Sequence, residues 1–128
     1  MSYTLLVTGP PYGTQNASTA LLFSRAIFTS NYKLLSVFFH FDGVLNANKL
    51  ISFSSDEYNL IEKWVDLNKT FGVKLNVCIS AAYRRGIVKN QVYNEFSRSI
   101  STLKSSFHLT GFSELARYIE KSDRIIQF

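Results

Sequence analysis

The sequence predicts a three-layer α/β/α domain on a mainly parallel sheet of about five strands. Three observations predict it. Short, β-branched apolar runs alternate with amphipathic stretches of ten to fifteen residues, the pattern of repeated βαβ units. One of those runs, residues 33–41 (KLLSVFFHF), is apolar almost throughout, as expected of a strand covered on both faces. The chain has 128 residues, 46% hydrophobic and 15% aromatic with only 18% charged, enough apolar surface for one sizeable core and too little charge for a disordered tail.

The elements follow in order. Residues 3–8 (YTLLVT) form a buried first strand stopped by Gly9-Pro10-Pro11. Residues 16–30 space Ala17, Ala20, Leu21, Ser24 and Ile27 at helical intervals, with Thr14, Asn16 and Ser18 as cap candidates. After the second strand at 33–41, residues 41–53 read as a loop rich in Asp, Gly and Asn. Ser54-Ser55-Asp56-Glu57 then opens a helix with an acidic first turn, which carries Leu60, Ile61, Trp64, Val65 and Leu67 inward and ends near Gly72. Residues 73–79 (VKLNVCI) are the third strand. Helices are expected over 89–101 and 111–121 with a short strand at 107–109 between them, and residues 123–128 (DRIIQF) are the last strand. No repeat or low-complexity segment interrupts the pattern, so residues 1–128 are read as a single domain of Rossmann or flavodoxin-like type.

Composition excludes several classes. Cys78 is the only cysteine, so no intramolecular disulfide forms, and one Cys with two His cannot supply the four ligands of a zinc ribbon. The start, MSYTLLVTGPPYG, lacks a basic opening and reads as a strand rather than a signal peptide. The apolar stretch 34–41 is broken by Ser36 and His40 and is too short to span a bilayer, so the expected location is the cytoplasm with no membrane contact. The net charge of +5 lies in the second half, where residues 65–128 hold ten Lys/Arg against five Asp/Glu. Those charges are scattered through helices rather than run together, the pattern of a solvated surface rather than of a nucleic-acid face.

Open parallel sheets hold their ligands beyond the carboxyl ends of the strands. Three segments fall there, at 9–16, 40–48 and 78–86, which brings Cys78 to that edge. If Ser80 to Tyr83 begin a helical turn, its free N–H groups point back at the sulfur, and Arg84 and Arg85 add positive charge. Such surroundings favour a nucleophilic thiolate. The alternative is a small buried hydrophobe late in a strand. His40 follows the second strand and approaches the same edge, but without a third orienting group a Cys–His pair is a weak signal. His108 carries none. Thr8 to Gln15 (TGPPYGTQ) lacks the lysine of a phosphate loop and puts prolines where N–H donors are needed, so it reads as a rigid turn in which Tyr12 caps the sheet edge.

Four segments together carry a family likeness: TLLVTGPPYGTQNAS, SVFFHFDGVLNAN, LNVCISAAYRRGI and the terminal SDRIIQF. In order and at matching length along the whole chain, they resemble the DsrE-like sulfur-relay proteins, and Cys78 lies inside a matching VC-x-A-A-x-R-R-G pattern. The resemblance implies a sulfurtransferase using neither cofactor nor metal. In it, Cys78 carries a persulfide received from a TusA-like donor and passed to a TusE-like acceptor that serves 2-thiolation of a tRNA wobble uridine. It implies TusB-like and TusC-like partner subunits in a dimer of heterotrimers. Neither histidine belongs to the motif, so neither receives a catalytic role. Protein-to-protein sulfur transfer needs one thiolate on each partner and no contact with nucleic acid. A non-catalytic assembly subunit with a structural cysteine, a nucleotide- or flavin-binding module and a direct RNA binder are the alternatives.

Overall fold

The computed structural model describes residues 1–95 and 98–128. Among the described residues seven strands are present in chain order: β1 (Ser2–Val7), β2 (Lys33–Phe39), β3 (Lys74–Cys78), β4 (Gln91–Val92), β5 (Ser99–Ile100), β6 (Phe107–Thr110) and β7 (Arg124–Gln127). Five of them form one sheet in the order β6-β3-β2-β1-β7, and every pairing in it is parallel. The expected fold class is therefore the observed one.

Alternation along the strands separates two unlike faces. On the first, Leu5 and Val7 of β1 stand beside Val37 and Phe39 of β2, with Leu75 and Val77 of β3 and Phe107 of β6 beyond them. Helices α1 (Asn16–Thr29) and α2 (Leu60–Phe71) cover this face. Helix α1 buries Ala17, Ala20, Leu21, Ser24 and Ile27, the stripe its spacing predicts. Helix α2 buries Leu60, Ile61, Trp64, Val65 and Leu67. The Trp64 ring meets Phe39 edge-on at 5.3 Å, and Phe39 lies 5.5 Å from Phe107. Burying each of these aromatic side chains contributes about 2–3 kcal/mol before entropy is counted.

The second face is more polar. Thr4, Ser36 and Asn76 are buried on it, with Leu6 and Phe38 between them. Asn76 Nδ2 donates to Ser36 Oγ at 2.9 Å, which satisfies both groups across β2 and β3. Helix α4 (Phe112–Lys121) packs here: Phe112 stacks on Phe38 at 6.1 Å, and Ser122 Oγ lies 2.7 Å from Thr4 Oγ1. Helices on both faces make the domain three-layered.

Three expectations are corrected. The helix expected from Ser54 begins instead at Leu60. Residues 54–57 do close a reciprocal turn, with Glu57 N donating to Ser54 O and Ser54 N to Glu57 Oε2, both at 3.0 Å, but the turn does not propagate. Asn59 is the working cap, its Oδ1 accepting from Glu62 N at 3.2 Å, and Gly72 ends the helix at φ +69°. The helix expected over 89–101 is replaced by the antiparallel pair β4 and β5, with residues 96 and 97 of that stretch outside those described. Asn90 at φ +52° turns the chain out of a helical path, and Val88 O accepts from Thr102 N at 2.8 Å and from Leu103 N at 3.1 Å. The loop expected over 41–53 contains a 3-10 segment, Phe41–Ala47.

Candidate active site at the carboxyl edge

Three segments meet beyond the carboxyl ends of β1, β2 and β3, and one side chain ties the first two of them to helix α2. Asn46, fully buried in the 3-10 segment, donates through Nδ2 to Gly9 O at 3.0 Å and to Gly43 O at 2.8 Å. Its Oδ1 accepts from Trp64 Nε1 at 3.1 Å. Gly43 lets this segment lie against β1, because a Cβ there would overlap the Val7 carbonyl. The Gly and Asn of the GVLNAN stretch thus build the platform. The sequence placed them only in a loop rich in Asp, Gly and Asn, within one of the four segments that carry the family likeness.

Cys78 ends β3 and is also the N-cap of the short helix α3 (Ile79–Tyr83), with no residue between strand and helix. The turn expected at 80–83 is present and begins one residue earlier, with its N-terminal end at Cys78. Cys78 Sγ lies 3.5 Å from Ser80 Oγ. The thiol is not open to solvent: the residue is 1% exposed.

The two arginines separate in role. Arg85 Nε pairs with Asp42 Oδ1 at 3.0 Å, and its NH1 donates to Ala81 O at 3.0 Å, so it fastens α3 to the 3-10 segment. Arg84 is exposed. Their charges reach His40, whose pKa is held below 6.5, first by burial and then by Arg85 and Arg84. His40 packs 4.1 Å from the Phe41 ring and edge-on to Phe112 at 5.1 Å. The structure does bring His40 to this edge, together with Thr110 at the end of β6, a residue the sequence reading passed over. His108 lies one alternation earlier on β6 and is exposed. Tyr12, expected to cap the sheet edge, is 69% exposed.

Among the described residues, no group of three or more His, Cys, Asp or Glu is placed to hold a metal, and no helix is long and apolar enough to cross a membrane. A cleft of about 460 Å³ lined by Phe28, Tyr32, Lys33 and Phe71 lies at the opposite, amino edge of the sheet.

A parallel α/β/α domain with one cysteine at the carboxyl edge defines the class. The model of the DsrE/DsrF-like family matches residues 1–128, and the chain belongs to that family. Within it, the likeness is to sulfurtransferases. The chain is 53% identical to sulfurtransferase TusD of Buchnera aphidicola subsp. Baizongia pistaciae and 47% identical to sulfurtransferase TusD of Pectobacterium carotovorum. The first match covers 100% of both chains, the second 100% of this chain and 99% of the relative. Among solved structures, the YchN protein of E. coli superposes with a TM-score of 0.75 at 21% identity over 100% of both chains, a likeness of fold.

Proposed function

We propose that this chain is a TusD-like sulfurtransferase of an intracellular relay, with Cys78 as its persulfide carrier. The supporting observation is the position of the sole thiol at the carboxyl edge of β3, in a chain that matches TusD relatives end to end. In the first step the Cys78 thiolate attacks the outer sulfur of a donor protein's persulfide. The donor's S–S bond breaks, its inner sulfur leaves as a thiolate, and Cys78 gains the sulfane sulfur with no net oxidation. In the second step an acceptor thiolate attacks that outer sulfur, and Cys78 leaves as the thiolate. A TusA-like donor, a TusE-like acceptor and TusB-like and TusC-like companion subunits in a dimer of heterotrimers complete the reading. The final acceptor is a tRNA wobble uridine that becomes 2-thiolated. One cysteine per chain suits a carrier, since a second thiol nearby would discharge the persulfide as a disulfide.

A second reading, a non-catalytic assembly subunit, is favoured by one observation, the near-complete burial of Cys78. Mass spectrometry decides between them. After incubation with a persulfide-loaded carrier and the companion subunits, the Cys78 peptide gains one reductant-labile sulfur and the Cys78→Ser variant gains none. Absence of added sulfur on the unmodified chain would leave Cys78 structural and the assembly reading standing.

A further inference from the structure

The register of three strands sets two further residues against Cys78. Phe39, Val77 and Leu109 stand side by side on β2, β3 and β6. One step on, Cys78 pairs with Thr110. His40 is extended at φ −138° and ψ 166°, so it prolongs β2 at the same level on the other side of Cys78. Residues level with one another on parallel strands present their side chains to the same face, with neighbouring strands about 4.8 Å apart. The aromatic contacts agree on that face, since Phe38, two residues before His40, and His40 itself both meet the Phe112 ring.

Buried polar atoms in folded proteins are nearly always hydrogen-bonded, and each exception asks for an explanation. Among the described residues two side-chain atoms are buried without a partner, His40 Nδ1 and Thr110 Oγ1. They are the two that flank Cys78.

We propose that Thr110 Oγ1 and His40 Nδ1 are the two walls of a hydrogen-bonding slot for the anionic sulfur on Cys78. The slot takes the thiolate before transfer and the terminal sulfur of the persulfide after it. Thr110 donates its O–H, and the neutral imidazole donates Nδ1–H from the other side. The persulfide half of this assignment rests on the sulfur-carrier reading above; the thiolate half does not. The charges that reach His40 are those of Arg85 and Arg84 from the end of α3, of which Arg85 is paired with Asp42 of the 3-10 segment.

Thr110→Val keeps the side-chain shape and removes the donor, and Thr110→Ser restores the donor on a smaller side chain. With a single cysteine in the chain, the ultraviolet absorbance of the thiolate, read against Cys78→Ser, reports its titration directly. The expected result is a midpoint raised by about one pH unit in Thr110→Val, the scale of one hydrogen bond to a charged group, and returned close to the unmodified value in Thr110→Ser. His40→Phe, which keeps a ring edge-on to Phe112, shifts the midpoint in the same direction. In loaded protein the labile sulfur is lost about tenfold faster from Thr110→Val. An unchanged midpoint in Thr110→Val, or equal shifts in the Val and Ser variants, overturns the slot. Failure of the unmodified chain to gain sulfur overturns the carrier reading alone, because the thiolate titration still decides whether the slot exists.

Discussion

Replacing Asn46 with Ala removes the one side chain that joins the loop after β1, the 3-10 segment after β2 and helix α2. Three hydrogen bonds disappear together, to Gly9 O, to Gly43 O and from Trp64 Nε1. All three lie in a region from which water is excluded, so the stranded partners pay for their lost solvation. At roughly 0.5–1.5 kcal/mol per neutral bond the loss comes to about 2–4 kcal/mol. For a chain of this length each kcal/mol lowers the melting temperature by about 4 °C, which places the variant about 8–16 °C lower. Thermal unfolding followed by circular dichroism measures this. Trp64 is the only tryptophan, so its fluorescence reports the same site independently and shifts as the indole N–H seeks a new partner. A variant within about 1 kcal/mol of the parent, with unchanged emission, would refute the reasoning, since it would mean the three segments hold without their common partner.

Two further outcomes are expected. Because folding lowers the pKa of His40, the unfolded chain binds the proton more readily. The stability linked to His40 is therefore present above about pH 6.5 and is lost as the pH falls through the depressed folded value. NMR titration of the ring checks this: in Arg85→Ala the His40 midpoint moves up, and burial keeps it from reaching the ordinary value. Asn59→Ala leaves Glu62 N without its cap and lowers stability by about 1 kcal/mol, read as a shift in the urea midpoint at constant slope.

The sheet was legible because its strands are written in short-range terms. An apolar run closed by Gly9-Pro10 marks β1, one that opens just after Gly72 marks β3, and the stripe of Ala17, Ala20, Leu21, Ser24 and Ile27 marks α1 and its buried face. What failed depended on partners distant in sequence. The stretch 89–101 has helix-compatible composition, yet Val88 receives bonds from Thr102 and Leu103, and that closure selects a hairpin. The pattern at Ser54 to Glu57, read as a helix start, closes an isolated turn instead, and the cap falls to Asn59. At the site, Cys78 and its strand-end position were legible from fold logic. The flanking of Cys78 by Thr110 was not, because it follows from the order β6-β3-β2, which no local pattern encodes. Arg85 was read as a free charge near the sulfur and is instead a clamp between Asp42 and Ala81.

The burial of Cys78 at 1% exposure turns reactivity into a question of populations. A sulfur that the resting fold encloses reacts at its intrinsic rate multiplied by the fraction of time the enclosure is open. An opening that costs about 3 kcal/mol slows every encounter roughly a hundredfold, for oxidants, small thiols and protein persulfides alike. Directly after Cys78 comes a single turn of helix, which Arg85 ties to Asp42 of the 3-10 segment. A bound protein that favoured the open form would accelerate exchange without touching the sulfur. Amide hydrogen exchange of residues 79–83 gives the opening constant of this turn, and its ratio with and without a bound protein measures how far binding sets the opening.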